Sequence, residues 1–597
     1  MEKDTKPRHG RGRKVLTVAL IAAAFLVSMA SLRSCVNSHL GERRGELAAR
    51  IEGATSLRAA FGELAWRFPH GVGIDNLELR DRSGLLVVTA KRVTAWINPL
   101  GLLRRQGPAE AVSSLEVEGA EVTIRRPGKA IGPLVAKGPS AEGKKAPEGL
   151  PRRIVVRGAD VVVDTGKDRA VAHFGKAELI SGGGKRTLTL EAGGGRCRLT
   201  IPGEGERVFT VSASSFPLTI LTAFFGDILP FSSLSADADG RIEETAPTAW
   251  SFGGRLALRS EGVVLANLEA RGNTDGRGEG TAAGRLVVGG EVVDFRLVRE
   301  PPPRDIVGVE ARFPRFSFPR AAAAIPPALR PNLPDLAVTG YLEGTFRASF
   351  RTRPPHRARH DFRGKVEPPR VLSLGPRVRP ERLLYPFTHT VVTPSGRTFT
   401  FRVGPENPDF VPLEDIPPSL VKAVITAEDG GFFHHRGVNV GQVVEALAEN
   451  LAAGRVVRGA STISMQLAKN LYLGRERTMG RKIEEFFITL ALEERLSKGR
   501  IMEIYLNVIE WGDGIYGIGP AARHYFQKHP RDLDDLECAF LASIIARPTA
   551  GWKPNPLVEI GDGWWGYLDV ILEKMQRREL PPNWRDTGVT RDGSNGG

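Results

Sequence analysis

The chain has 597 residues, a formal charge of +15 and a pI near 9.9, with 41% hydrophobic and 25% charged residues. That length exceeds what one core supports, and the ordinary apolar content excludes a disordered or fibrous chain, so roughly two to four domains are expected. The basic balance admits nucleic acid, anionic lipid or a pyrophosphate-bearing substrate as partners, but no zinc-finger spacing or RNA-binding aromatic motif occurs, and no nucleic acid is expected.

Residues 1–14 carry Lys3, Lys6, Arg8, Arg11, Arg13 and Lys14 and read as a cytoplasmic basic segment. Residues 15–32, VLTVALIAAAFLVSMASL, are almost wholly apolar. As a helix they rise about 27 Å, near the thickness of a bilayer's hydrocarbon core. With the basic flank held inside, the expectation is a single-pass transmembrane signal anchor in the cytoplasmic (inner) membrane, with the bulk of the chain in the periplasm. Cleavage and lipidation are weaker alternatives. Ser28-Met29-Ala30 is a poor cleavage site, and Arg33 stands where a lipoprotein signal ahead of Cys35 wants a small residue. Cys35, Cys197 and Cys538 have no metal-ligand spacing, and the last two read as small buried apolar residues.

Residues 33–66 read as a polar stalk helix, with Leu40, Leu47, Ile51 and Leu57 loosely periodic. From 67 to 350, short alternating runs such as RIVVRGADVVVDT and GRLVVGGEVVDFRLVRE are bounded by Gly, Asp and Pro, which indicates an antiparallel β region. Two segments share one pattern, a strand crossing a Gly-Ala bend: Val117-Glu118-Gly119-Ala120-Glu121-Val122 and Val156-Arg157-Gly158-Ala159-Asp160-Val161. This pattern resembles the AsmA-type periplasmic domains, whose repeated strands form an elongated, curved sheet. The resemblance implies a lipid-handling groove; the plainer reading is a β-rich spacer or partner platform. Residues 127–152 and the basic, proline-bearing 351–375 read as solvated linkers.

Residues 376–565 form the last expected domain, with 566–597 a tail. From 412 the apolar spacing is helical: Val440, Val443, Val444, Leu447 and Leu451, then Ile483, Phe486, Phe487, Leu490 and Leu496. Asp534 and Glu537 resemble a capping box ahead of an apolar run that Pro548 ends. The fold class is therefore multidomain α+β, a β region followed by a mostly α-helical domain.

Four stretches of this domain carry chemistry. Glu428 closes a helical segment before Gly430-Gly431, where a carboxylate can project into a cleft or sit in an ordinary surface turn. Ser461 and Thr462 stand where an N-cap is wanted, and a helix start of that kind presents N–H groups to an anion. Gln466, Lys469 and Asn470 share the following polar face. Lys482 and Glu485 pair a cation with a carboxylate, as a solvated salt-bridged face also would.

The ordered set is more specific than its parts. Glu428-Asp429-x-x-Phe432-x-x-His435-x-Gly437, the segment Gly459 to Asn470, Arg481-Lys482-x-x-Glu485, Tyr505-Leu506-Asn507-x-x-x-Trp511-Gly512 and Ala546-Arg547-Pro548 follow one another. Together they resemble the peptidoglycan glycosyltransferases of family 51, found as monofunctional transglycosylases and in class A penicillin-binding proteins, over about 410–560. The resemblance implies a lysozyme-like domain at the outer membrane face. It would polymerise lipid II onto a growing glycan chain, with a lipid pyrophosphate leaving. Glu428 is the implied base. Ser461, Thr462, Gln466, Lys469, Asn470, Arg477, Arg481 and Lys482 are the implied substrate-binding set. Glu485 is the second implied acid, either orienting Lys482 and the phosphates or holding a divalent cation such as Mg or Mn; no other metal ligand is implied. His435 is implied to pack the loop, and Asn507, Trp511 and Tyr516 to scaffold the cleft. Ser464-Met465 and Gly430-Gly431 depart from the common pattern, and the first departure removes an amide's hydrogen bonds. No transpeptidase motif follows, so cross-linking would fall to a separate partner. The rival reading is an inactive envelope protein whose β region binds lipid or a cell-wall partner.

Overall fold

The computed structural model describes residues 34, 37–38, 40–55, 57–81, 83, 85–98, 111–125, 151–164, 169–203, 205–219, 234–260, 263–275, 277–301, 303–351, 358–393, 396–453, 458–474, 478–553, 555–558 and 560–588. The expected span 15–32 lies outside them. Among the described residues no helix is long and apolar enough to cross a membrane. The chain divides into two compact units, the first ending at Gly254 and the second running from Arg255.

The first unit opens with helix α1 (Arg44–Thr55). The expected stalk helix goes no further, because β1 (Arg58–Ala60) and β2 (Leu64–Arg67) both pair with β3 (Gly71–Arg80). The sheet continues through β4 (Leu86–Ile97), β5 (Val112–Arg125), β6 (Arg153–Asp164), β7 (Arg169–Gly182), β8 (Lys185–Ala192), β9 (Gly195–Ile201), β10 (Val208–Pro217) and β11 (Leu234–Ala246). Gly183-Gly184 and Gly193-Gly194, all at positive φ, close two-residue hairpins between β7 and β8 and between β8 and β9. Such turns need that backbone region twice in succession, which only glycine enters freely.

One pairing corrects the expected antiparallel region. Strands β5 and β6 run parallel, with Val117 opposite Val156, Ala120 opposite Ala159 and Val122 opposite Val161. The repeated pattern therefore lies against itself in register. Gly119 (φ 59°) and Gly158 (φ 62°) fall at matching levels and step out of the ladder together. Buried residues in this unit include Val155, Val162 and Val163, and Ala172, Phe174, Ala192 and Phe216 form a small cluster.

Strand β12 (Ala249–Ser260) contains the division between the units. The second unit then has an antiparallel meander of β13 (Val263–Thr274), β14 (Gly280–Val288), β15 (Glu291–Glu300), β16 (Ile306–Ser317), β17 (Tyr341–Arg351) and β18 (Ala358–Glu367). Strand β18 lies inside the segment read as a basic linker. In the ladder Asp361 stands opposite Arg347, Lys365 opposite Glu343 and Phe362 opposite Phe346, while Asp361 pairs with Arg363 on its own strand at 3.3 Å.

The hairpin β19 (Phe387–Val392) and β20 (Thr398–Val403) precedes the helices. These are α2 (Pro418–Glu428), α3 (Val440–Ala453), α4 (Ile463–Tyr472), α5 (Met479–Arg495), α6 (Lys498–Val508), α7 (Ile518–Phe526), α8 (Asp535–Ile544) and α9 (Asp562–Gln576). Thr462, Thr478 and Ser497 cap α4, α5 and α6, and α8 carries the expected capping box of Asp534 and Glu537. One core joins these helices apart from α3, whose Val444 and Ala448 pack with Ala348 and Phe350 of β17 in a cluster of their own, and the main core reaches outside the expected 376–565 domain in both directions. Ala322, Leu333 and Val338 pack into it from the N-terminal side, and Asn332 donates to Glu484 through its backbone at 2.6 Å and its side chain at 2.9 Å. From the other side Leu568, Ile571 and Met575 of α9 are buried in it, so the expected tail begins with a structural helix. Cys538 is buried there, and Cys197 is half-buried in the first unit.

Candidate active site

Helix α2 begins at Pro417-Pro418, buries Leu420, Val421, Val424 and Ile425, and ends at Glu428. That end sets a carboxylate at the rim of the core. Gln466 Nε2 donates to Glu428 Oε2 at 2.6 Å, and Tyr505 Oη donates to Gln466 Oε1 at 2.9 Å. Burial pushes the Glu428 carboxyl above the usual glutamate range; the Gln466 bond and the Lys469 charge oppose that shift, and Asp429 adds to it. Protonated at a higher pH than a free glutamate, it is a stronger base for an alcohol proton.

Asp429 is fully buried and points the other way. It accepts from His435 Nε2 at 2.9 Å and from the Ile463 backbone N–H at 3.2 Å. The backbone N–H of Gly437 donates to His435 Nδ1 at 3.1 Å, which fixes the tautomer: the ring accepts on Nδ1 and donates from Nε2. His435 therefore holds the loop, as expected. The start of α4 is satisfied within the chain. Its first N–H is taken by Asp429. Thr462 is buried, with its hydroxyl accepting from Met465 N at 3.2 Å and donating to the Gly437 carbonyl at 2.6 Å. Thr462 is held inside the fold by these two bonds.

The cations gather at the next helix. Lys482 Nζ donates to Ser461 Oγ at 3.2 Å and to Glu485 Oε1, and Arg481 Nη1 donates to Glu485 Oε2 at 2.8 Å. Glu485 is 3% exposed in this trio and Lys482 is 41% exposed, so the lysine is the member that reaches outward. With both oxygens engaged, Glu485 acts as an anchor for two cations. Among the described residues no three His, Cys, Asp or Glu side chains converge on a metal position. Lys469 stands close enough for its charge to act on Glu428, Asn470 is half-buried on the same helix, and Arg477 lies outside the described residues.

The two departures from the common pattern turn out differently. Ser464 is buried and donates to Glu493, and the Met465 side chain is buried. Glu493 also takes Lys498 Nζ at 2.7 Å, and that ammonium lies 4.4 Å from the Phe432 ring centre, with burial lowering its pKa. Gly430 instead leaves room beside it for the Arg578 guanidinium. The scaffold residues act as expected. Asn507 accepts from Val411 N at 2.9 Å and donates to Val411 O at 2.8 Å, Trp511 is buried, and Tyr516 Oη donates to Glu510 at 3.1 Å. Sequence reading missed Glu493, Lys498 and Arg578, which sit outside every motif quoted; only folding brings Lys498 beside Phe432, Arg578 beside Gly430 and Glu493 beside Ser464.

The family model described as Transglycosylase matches residues 396–574. The biosynthetic peptidoglycan transglycosylase of Laribacter hongkongensis is 44% identical over 153 residues, 25% of this chain and 67% of that protein. Its counterpart in Nitrosomonas eutropha is 50% identical over 139 residues, 23% of this chain and 57% of that protein. Penicillin-binding protein 1A of Aquifex aeolicus is 43% identical over 154 residues, 26% of this chain and 21% of that protein. The chain thus spans about three fifths of the length of the first relatives it matches.

Proposed function

We propose, on the premise that the chain belongs to the peptidoglycan transglycosylase family, that it polymerises lipid II into glycan strands. The growing chain, held on lipid pyrophosphate, is the donor, and an incoming lipid II is the acceptor. Glu428 takes the proton from the acceptor's 4-hydroxyl as that oxygen attacks the donor's anomeric carbon. The carbon–oxygen bond to pyrophosphate breaks with inversion. Lys469, Lys482 and Arg481, joined by Arg477, offset the charge that develops on the leaving group. Glu485 holds two of these cations in place. Residues 15–32 anchor the chain in the cytoplasmic membrane with the remainder outside, where such a substrate is presented.

One observation carries this reading: the segment Ser461–Gln466 touches both sides of the chemistry, with Gln466 on Glu428 and Ser461 on Lys482. A proton acceptor and a cation that can meet a diphosphate are thereby tied to the same short stretch. The test is polymerisation of lipid II by the purified full chain in detergent. Polymer from the natural protein and none from Glu428→Gln is the expected result; equal polymer from both sinks the proposal.

A further inference from the structure

We propose that Arg578 is a positioning residue for the reaction, holding the Glu428 turn in place from the far end of the domain. The inference rests on the reading of Glu428 as the base. A base at the last residue of a helix has a mechanical problem, since helix ends fray and the backbone beyond Glu428 is Asp429-Gly430-Gly431. Asp429 is fixed from within by His435 and Ile463. Arg578 fixes the turn from without. Its Nη1 donates to the Gly430 carbonyl at 2.6 Å and its Nε donates to Thr426 Oγ1 at 3.2 Å. Those partners stand two residues after and two residues before Glu428, so one rigid planar group spans the base.

The sequence makes room for the contact. A Cβ at Gly430 would lie 3.3 Å from Arg578 Nη2. Helix α9 delivers the guanidinium with Leu568, Ile571 and Met575 locked in the core, and Tyr567 on the same helix lies close enough to sense the Glu428 charge. Arg578 touches no reacting atom in the proposed reaction; it works through the backbone and the Thr426 hydroxyl. Lysine carries the charge but not the fork, so it reproduces one bond at most.

The test uses the full chain in detergent with lipid II and compares kcat, KM and melting temperature. Displacing a base by a fraction of an ångström lowers turnover more than binding, so Arg578→Ala reduces kcat about 10- to 100-fold with KM within about twofold. Arg578→Lys recovers part of the loss. Thr426→Val has a smaller effect, and the Thr426→Val/Arg578→Ala double variant is no worse than Arg578→Ala, because both delete the same bond. Gly430→Ala crowds the guanidinium while leaving Arg578 for the fold, so it carries the test if Arg578→Ala does not fold; its kcat falls with the melting temperature unchanged. A kcat within twofold of the natural protein for a folded Arg578→Ala, a loss that tracks the melting temperature alone, or strictly additive Thr426 and Arg578 effects overturn the proposal. Glu428→Gln runs alongside. If it stays active the base reading fails; if it is dead while Arg578→Ala is unimpaired, only the positioning role fails.

Discussion

The sheet of the first unit and the helical region of the second treat their side chains in opposite ways. Around the helices Trp511, Tyr505 and Leu420 are enclosed, and polar groups taken inside are answered, Arg500 by Glu503 and Asn507 by the Val411 backbone. In the sheet Val171, Ile180 and Ile242 remain about half exposed, and the sheet cluster around Phe174 is small. Backbone ladders hold the sheet; burial holds the helices. The difference teaches where chemistry can sit, since a carboxyl with a raised pKa needs enclosure and enclosure is what the helices supply.

The largest expected effect tests that link directly. Glu428→Gln removes the base and lowers polymerisation about a thousandfold, measured as glycan formed per enzyme, with the fold intact by circular dichroism. In the natural protein the rate falls as pH drops through a midpoint above the ordinary 4.5, because burial raises this carboxyl and protonation removes the acceptor; a midpoint at or below 4.5 breaks the comparison. Next, Leu420→Ala in the enclosed core costs about 2–5 kcal/mol by denaturant unfolding. In the sheet the sensitive positions are turns. Gly184→Ala, at φ 77°, costs about 1–2 kcal/mol. Smallest of all, Ile180→Thr on the exposed sheet face stays within about 0.5 kcal/mol. A cost at Ile180 matching that at Leu420 would show that the sheet relies on burial after all.

Much of this was legible because it is local. Alternation bounded by Gly, Asp and Pro marked the strands, and Asp534 with Glu537 marked the start of α8. The ordered motifs brought Glu428, Gln466 and Lys482 to notice before any coordinates. What was hidden depends on partners distant in the chain. The charges of β18 read as a solvated linker because the strand that pairs with it, β17, is not visible in its own residues. Thr462 read as an anion donor because nothing in its neighbourhood reveals that Asp429, thirty-four residues before Ile463, takes the helix N–H. Arg578 read as tail for the same reason: its meaning comes from residues 426 and 430, reached only after the core has closed.

The matched bends of β5 and β6 have a consequence for how such a sheet can change. Because Gly119 and Gly158 step out of line at one level, a further copy of the same strand could be laid alongside without altering the path of its neighbours. A single residue inserted into either strand would instead turn every later side chain to the opposite face. The sheet can therefore grow or shrink in whole strands, and is far less free to do so residue by residue.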